Sequence, residues 1–202
     1  MDMGPDLKPS STFLDQLVSV NSLRACGFGQ WLFLPGMLFG AMEQWWGDQN
    51  RRKTPHEGLD LHYYRAVEGN ICHLDSTIKV PVMFSGRIVT VVSDFLGESV
   101  FVLHEEYASG KSHLYTIYGH IAPGQDLHSG KLVREGDIVG AISSGRGNSY
   151  AAPRHLHLSL AWVPDRLPND SLTWKTMADP RAVGLVDPLS IMGGSYSLQE
   201  HL

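Results

Sequence analysis

The stretch Arg154-His155-Leu156-His157-Leu158-Ser159-Leu160 decides how the rest of the chain is read. Polar and apolar residues alternate along it, and alternate residues of a strand share a face. As a strand it sets His155 and His157 side by side while Leu156, Leu158 and Leu160 press into a core. Such a pair can place one nitrogen on a metal and another beside it. Two earlier stretches carry side chains suited to the same site: His56-Glu57-Gly58-Leu59-Asp60 and Tyr118-Gly119-His120.

Outward from these, residues 77–83, 87–92, 99–105 and 113–118 read as short strands rich in Val, Ile and Tyr. Turn signals separate them at Ser85-Gly86, at residues 94–98 and at Ser109-Gly110-Lys111. The spacing predicts a mainly β fold built on an antiparallel sheet or barrel. Pro81 cannot donate to a ladder, so the first of these strands is expected at an edge or a bulge. Residues 59–64 read as one further strand, and residues 130–140 as a hairpin with a tight turn at Glu135-Gly136-Asp137. A loop rich in Gly, Ser and Asn (residues 143–154) delivers the chain to His155. The polar tail after Leu189 reads as frayed.

Upstream, residues 1–10 read as an unstructured lead-in. Ser10-Ser11-Thr12 offers N-caps for a short helix with Phe13, Leu14, Leu17 and Val18 on one stripe, ended by Gly27 and Gly29. Residues 31–46 are apolar and aromatic. Trp31, Trp45 and Trp46 read as core residues, with the wall of a binding groove as the alternative for one of them.

The 202 residues suit one domain with a small N-terminal extension. At 43% hydrophobic and 18% charged the chain can form a core. A net charge of −5, with no basic run longer than Arg51-Arg52-Lys53, gives no footprint for nucleic acid. No apolar run reaches the ~18 residues of a membrane span. The N-terminus lacks a secretory leader's basic and apolar regions, so the expectation is a cytoplasmic protein or one whose leader is removed. Cys26 and Cys72 permit a disulfide without requiring one; with no CxxC, neither a thiolate zinc site nor a redox pair is indicated.

There are ten histidines, and His73, His104, His113, His128 and His201 read as ordinary surface or hydrogen-bonded residues. His62 reads as a packed or exposed side chain, with a supporting or ligating role as its alternative. His56-Glu57 begins like the helical HExxH zinc signature. Its fifth position is Asp60 rather than His, Gly58 falls mid-turn, and no amphipathic helix follows. The reading preferred is a loop entering a strand, with His56 and Asp60 reaching one metal. Imidazole nitrogen and carboxylate oxygen bind zinc at ~2.0–2.2 Å. One histidine of the 155/157 pair completes three ligands, and the other is left where a general base belongs. Spacing does not say which is which. His120 could hydrogen-bond an oxyanion.

Together, His56-x-x-x-Asp60, Tyr118-Gly119-His120 and His155-Leu156-His157 resemble the lysostaphin-type zinc endopeptidases that cut peptidoglycan peptides. The likeness extends to Val133-x-x-Gly136-Asp137-x-Val139-Gly140 and to Asp187-Pro188. It implies an antiparallel β fold with a groove across the sheet, covering residues 31–192 between an N-terminal extension (1–30) and a tail (193–202). It makes His56, Asp60 and His157 the ligands of Zn2+, and His155 and His120 the catalytic histidines. It also implies peptidoglycan peptides or another peptide as substrate, and work outside the cytoplasm. The chain departs from the family's style at Ala151-Ala152-Pro153-Arg154, in the aromatic segment before His56 and in the extension at 162–184, all of which bear on specificity. A non-catalytic relative that regulates wall hydrolases is the alternative, though every ligand and both catalytic positions are present. A lipoyl-type carrier domain fits less well, because Lys131 precedes the turn instead of sitting at its tip.

Overall fold

In the computed structural model, which describes residues 9–145 and 152–200, the apolar runs become one large sheet and one small one. Helix α1 (Phe13–Val20) precedes β1 (Phe28–Phe33), β2 (Leu59–Leu61), β3 (Tyr63–Ala66), β4 (Ile71–His73) and β5 (Lys79–Pro81). The long strands follow: β6 (Gly86–Ser93), β7 (Glu98–Ser109) and β8 (Ser112–Pro123). Then come β9 (Leu132–Val133), β10 (Ile138–Ile142), β11 (Leu156–Pro164), the short α2 (Trp174–Met177), β12 (Gly184–Val186) and β13 (Tyr196–Leu198). The large sheet runs β12-β11-β8-β7-β6-β9, with β2 on β11 and β10 bridging β8 and β5; the small one runs β13-β1-β3-β4. The fold is mainly β, as the strand spacing predicts.

The central pair β8 and β11 is covered on both faces, so both strands are buried in nearly every position, the polar Thr116, His120, His157 and Ser159 included. Leu156, Leu158 and Leu160 are fully buried in the main core with Leu114, Tyr118 and Ile121. Ala161 and Val163 face a second cluster with Tyr115 and Ile117. The predicted stripe of α1 is buried in the main core as well. Ser11 Oγ accepts from Phe13 N–H at the helix start, whereas Thr12 makes no side-chain cap. Pro81 ends a three-residue strand whose pairing with β10 is irregular opposite it. Cys26 and Cys72 are free thiols.

Three sequence expectations are corrected. Residues 59–64 are two strands rather than one. The chain crosses between sheets at His62, β2 pairing with β11 and β3 with β1 and β4. The arms of the 130–140 segment do not pair with each other. Gly136 N–H donates to Val82 O and Val82 N–H to Asp137 O, which splays β9 onto β6 and β10 onto β5 and β8. The tail is not frayed, because β13 pairs in parallel with β1 and Tyr196 packs edge-on against Phe33 at 5.7 Å. The 30/31 boundary lies inside β1. The lead-in (residues 1–8), part of the Gly/Ser/Asn loop (146–151) and His201 lie outside the described residues.

His104 is fully buried, hydrogen-bonded to Ser85 O and Thr116 Oγ1. Burial lowers its imidazole from 6.5 to about 4, with the bond to Ser85 O pulling the other way. The unfolded chain therefore takes up a proton between these values that the folded chain refuses. This contribution to stability is fully present above the unfolded pKa and lost as pH falls towards the folded one. At pH 4.5 the loss is ~2 kcal/mol. His104→Gln, which keeps a donor and an acceptor there, is expected to lose roughly 5–8 °C less in Tm than the parent between pH 7 and 4.5. Equal losses in the two melting series would show that His104 is not the group responsible.

Candidate metal centre

Three donor atoms converge where β2 meets β11. Register places Asp60 opposite His157, and His56 arrives on the loop just before β2. His56 Nε2 lies 3.1 Å from Asp60 Oδ1 and 3.1 Å from His157 Nδ1, and His157 Nδ1 lies 2.8 Å from Asp60 Oδ1. Among the described residues these three form the one group arranged to hold a metal ion. All are buried.

The atoms behind the donors fix their direction. His56 Nδ1–H donates to Leu38 O at 3.0 Å, His157 Nε2 meets Ser159 Oγ at 2.8 Å, and Trp45 Nε1–H donates to Asp60 Oδ2 at 2.7 Å. With its far nitrogen protonated, each ring turns a lone pair towards the carboxylate oxygen. Three lone pairs held this close repel unless a cation lies between them, and two imidazoles with one carboxylate are a zinc donor set. The residues present therefore fit the ion. Burial lowers His157 to about 3 against the pull of Asp60, keeping the ring in its ligand form. Burial raises Asp60, but the charges and hydrogen bonds of the surrounding histidines overcome it and hold the carboxyl well below its usual range.

Gly58 explains how His56 and Asp60 turn into one point. A Cβ there would collide with Leu158 O and sit 2.6 Å from Ser159 Oγ and 2.9 Å from His157 Nε2. Only a glycine lets this loop lie on β11.

Two more histidines border the cluster. His155 directly precedes β11; its Nδ1–H donates to Pro153 O at 2.7 Å, and its Nε2 is 3.4 Å from Asp60 Oδ1. Burial lowers its pKa, but Asp60 outweighs this and the net shift is upward. His120 stands on β8 with φ +63°, and its ring centroid is 4.8 Å from that of His155. All five residues predicted for the site thus come together. They line a cavity of about 330 Å³ with Trp46, Phe95, Trp174, Gln44, Arg52, Glu57 and Asp94. Arg52 is 3.8 Å from Asp60 Oδ2 and lies over the Trp46 ring. Trp174, from the extension after β11, packs edge-on against His157. His62 does not join them; its ring packs among Trp45, Tyr63 and His73.

Several contributors escape the sequence reading. Ser159 sits two residues beyond His157 on the same strand face, so alternation could have found it. Trp45 is buried, as the core reading has it, and its bond to Asp60 is the part that escapes that reading, whereas Trp46 is the one that lines the cavity, as the groove reading has it. Asp94 and Trp174 give no local signal. Trp45→Phe keeps an aromatic ring of smaller size and removes the N–H. It is expected to weaken zinc binding by roughly 10–100-fold, read by competition with a chelator of known affinity. Unchanged affinity would rule out a role for that hydrogen bond.

No protein-family model and no curated protein matches the chain. Among solved structures it is similar to the antimicrobial peptidase lysostaphin from Staphylococcus simulans: 18% identity over 68% of this chain and 43% of that chain, TM-score 0.42. The match thus spans less than half of that lysostaphin chain. It is also similar to the catalytic domain of the prophage-encoded M23 protein EnpA from Enterococcus faecalis: 21% identity, 64% of this chain and 86% of that one, TM-score 0.37. A putative peptidase M23 from Pseudomonas aeruginosa gives 18% identity over 95% of this chain and 64% of that one, TM-score 0.39.

Proposed function

We propose that this chain is a zinc-dependent endopeptidase of lysostaphin type that hydrolyses peptide bonds in peptidoglycan cross-links or stem peptides, outside the cytoplasm. The observation that carries this reading is the donor triangle of His56, Asp60 and His157 with two further buried histidines beside it. A bound Zn2+ supplies a Lewis acid and lowers the pKa of a water to about 7. The remaining work falls to the chain's own side chains. With Nδ1–H committed to Pro153 O, the neutral His155 ring presents the Nε2 lone pair to the cavity, where it takes the proton of the attacking water. His120, with Nδ1 turned to Asp94, presents Nε2 to the same space and stabilises negative charge on the attacked carbonyl oxygen. No side chain needs to form a covalent bond to substrate.

Incubation with defined wall peptides, followed by mass analysis of the fragments, tests the reading. Expected are two fragments differing from the parent by one water, lost on chelation and restored by zinc. Intact peptides from a zinc-loaded, folded protein would overturn it in favour of the non-catalytic alternative.

A further inference from the structure

We propose that Asp94 is the positioning residue for His120, holding both its backbone and its ring so that Nε2 faces the metal cavity. The inference rests on the peptidase reading for its consequence and on β-sheet geometry for its substance. In strict alternation residue 120 shares a face with Tyr118, and that face is the main core. The pairing of β7 with β8 slips between Glu98–Ile121 and Val100–Tyr118, so β8 carries one extra residue there. This is a β-bulge, and it includes His120 in the left-handed region, which non-glycine residues rarely enter. The bulge sends Ile121 into the core instead, and frees the His120 ring to join His155 at the site.

A bulge of this kind leaves an amide out of the ladder and strains a non-glycine backbone. Asp94, on the loop between β6 and β7, answers both demands. Its Oδ2 accepts from His120 N–H at 2.9 Å and from Ser99 Oγ–H at 2.7 Å. Its Oδ1 accepts from Leu96 N–H and Gly97 N–H at 2.8 and 2.7 Å and lies 3.0 Å from His120 Nδ1, off the line of an ideal hydrogen bond. The carboxylate therefore sets the loop, the bulge and the tautomer at once. Trp174 Nε1–H donates to Ser99 Oγ at 3.0 Å, so the extension after β11 reaches the same carboxylate through one hydroxyl. Burial raises the Asp94 pKa, but the bonds to His120 and Ser99 outweigh it and keep the group anionic.

The test uses the full chain with 15N-labelled histidine. Long-range 1H–15N spectra at a pH where His120 is neutral are expected to show Nδ1 protonated and Nε2 bare. In Asp94→Asn that preference is expected to be lost, with kcat down on the order of 10²-fold, KM little changed and zinc content intact. A wild-type ring protonated on Nε2 would overturn the proposal, even were the variant unable to fold. So would an Asn variant with parental tautomer and kcat. Absence of hydrolysis by the wild type would instead count against the peptidase reading, and the tautomer measurement would still decide the role of Asp94.

Discussion

His157→Ala is expected to leave the purified protein without stoichiometric zinc, whereas His155→Ala binds it as the parent does. The two residues lie on one face of the chain two positions apart, so the contrast isolates direction, not location. The Nδ1 of His157 points into the donor triangle, and its ring is braced by Ser159 on one side and Trp174 on another. Removing it leaves two protein donors where a catalytic zinc needs three. The weakening is expected to exceed the roughly 10–100-fold loss typical of supporting residues. His155 meets Asp60 only through Nε2 at 3.4 Å and is anchored from behind by Pro153 O. Metal analysis of both variants after gel filtration decides the matter. Equal depletion would sink the assignment of the pair.

The second large effect is catalytic. With zinc retained, His155→Ala is expected to lose about 10²–10⁴-fold in kcat on a peptide the parent cleaves, because proton removal from water then has no acceptor beside the metal. KM should change far less, since the walls of the cavity are Trp46, Phe95 and Trp174 and these remain. A variant with near-parental kcat would transfer the proton-accepting role to another group, and His120 is the one within reach.

Much of this arrangement is written locally. The period of two at residues 155–160 places both histidines on one face, and the leucines between them account for the burial of β11. The three-residue gap from His56 to Asp60 needs only a glycine lying flat on the neighbouring strand. What sequence does not disclose is made by pairing at a distance. Residues 130–140 look like a hairpin because their turn is genuine, yet the arms hydrogen-bond to β6, β5 and β8, which no short window contains. Residues 59–64 read as one strand because each half is β-forming, and the switch of sheet at His62 depends on two different partners. The tail finds its order only because β1 offers it an unpaired edge. Asp94 is likewise an ordinary turn aspartate until β8 bulges towards it.

The bond from Trp45 to Asp60 makes the centre observable without labels. An indole's emission colour follows the electric field along its ring, and here the N–H end touches a carboxylate whose charge an arriving cation would offset. Titrating ions into the stripped protein should therefore change its near-ultraviolet fluorescence. The chromophore responsible is already in place beside the proposed metal site.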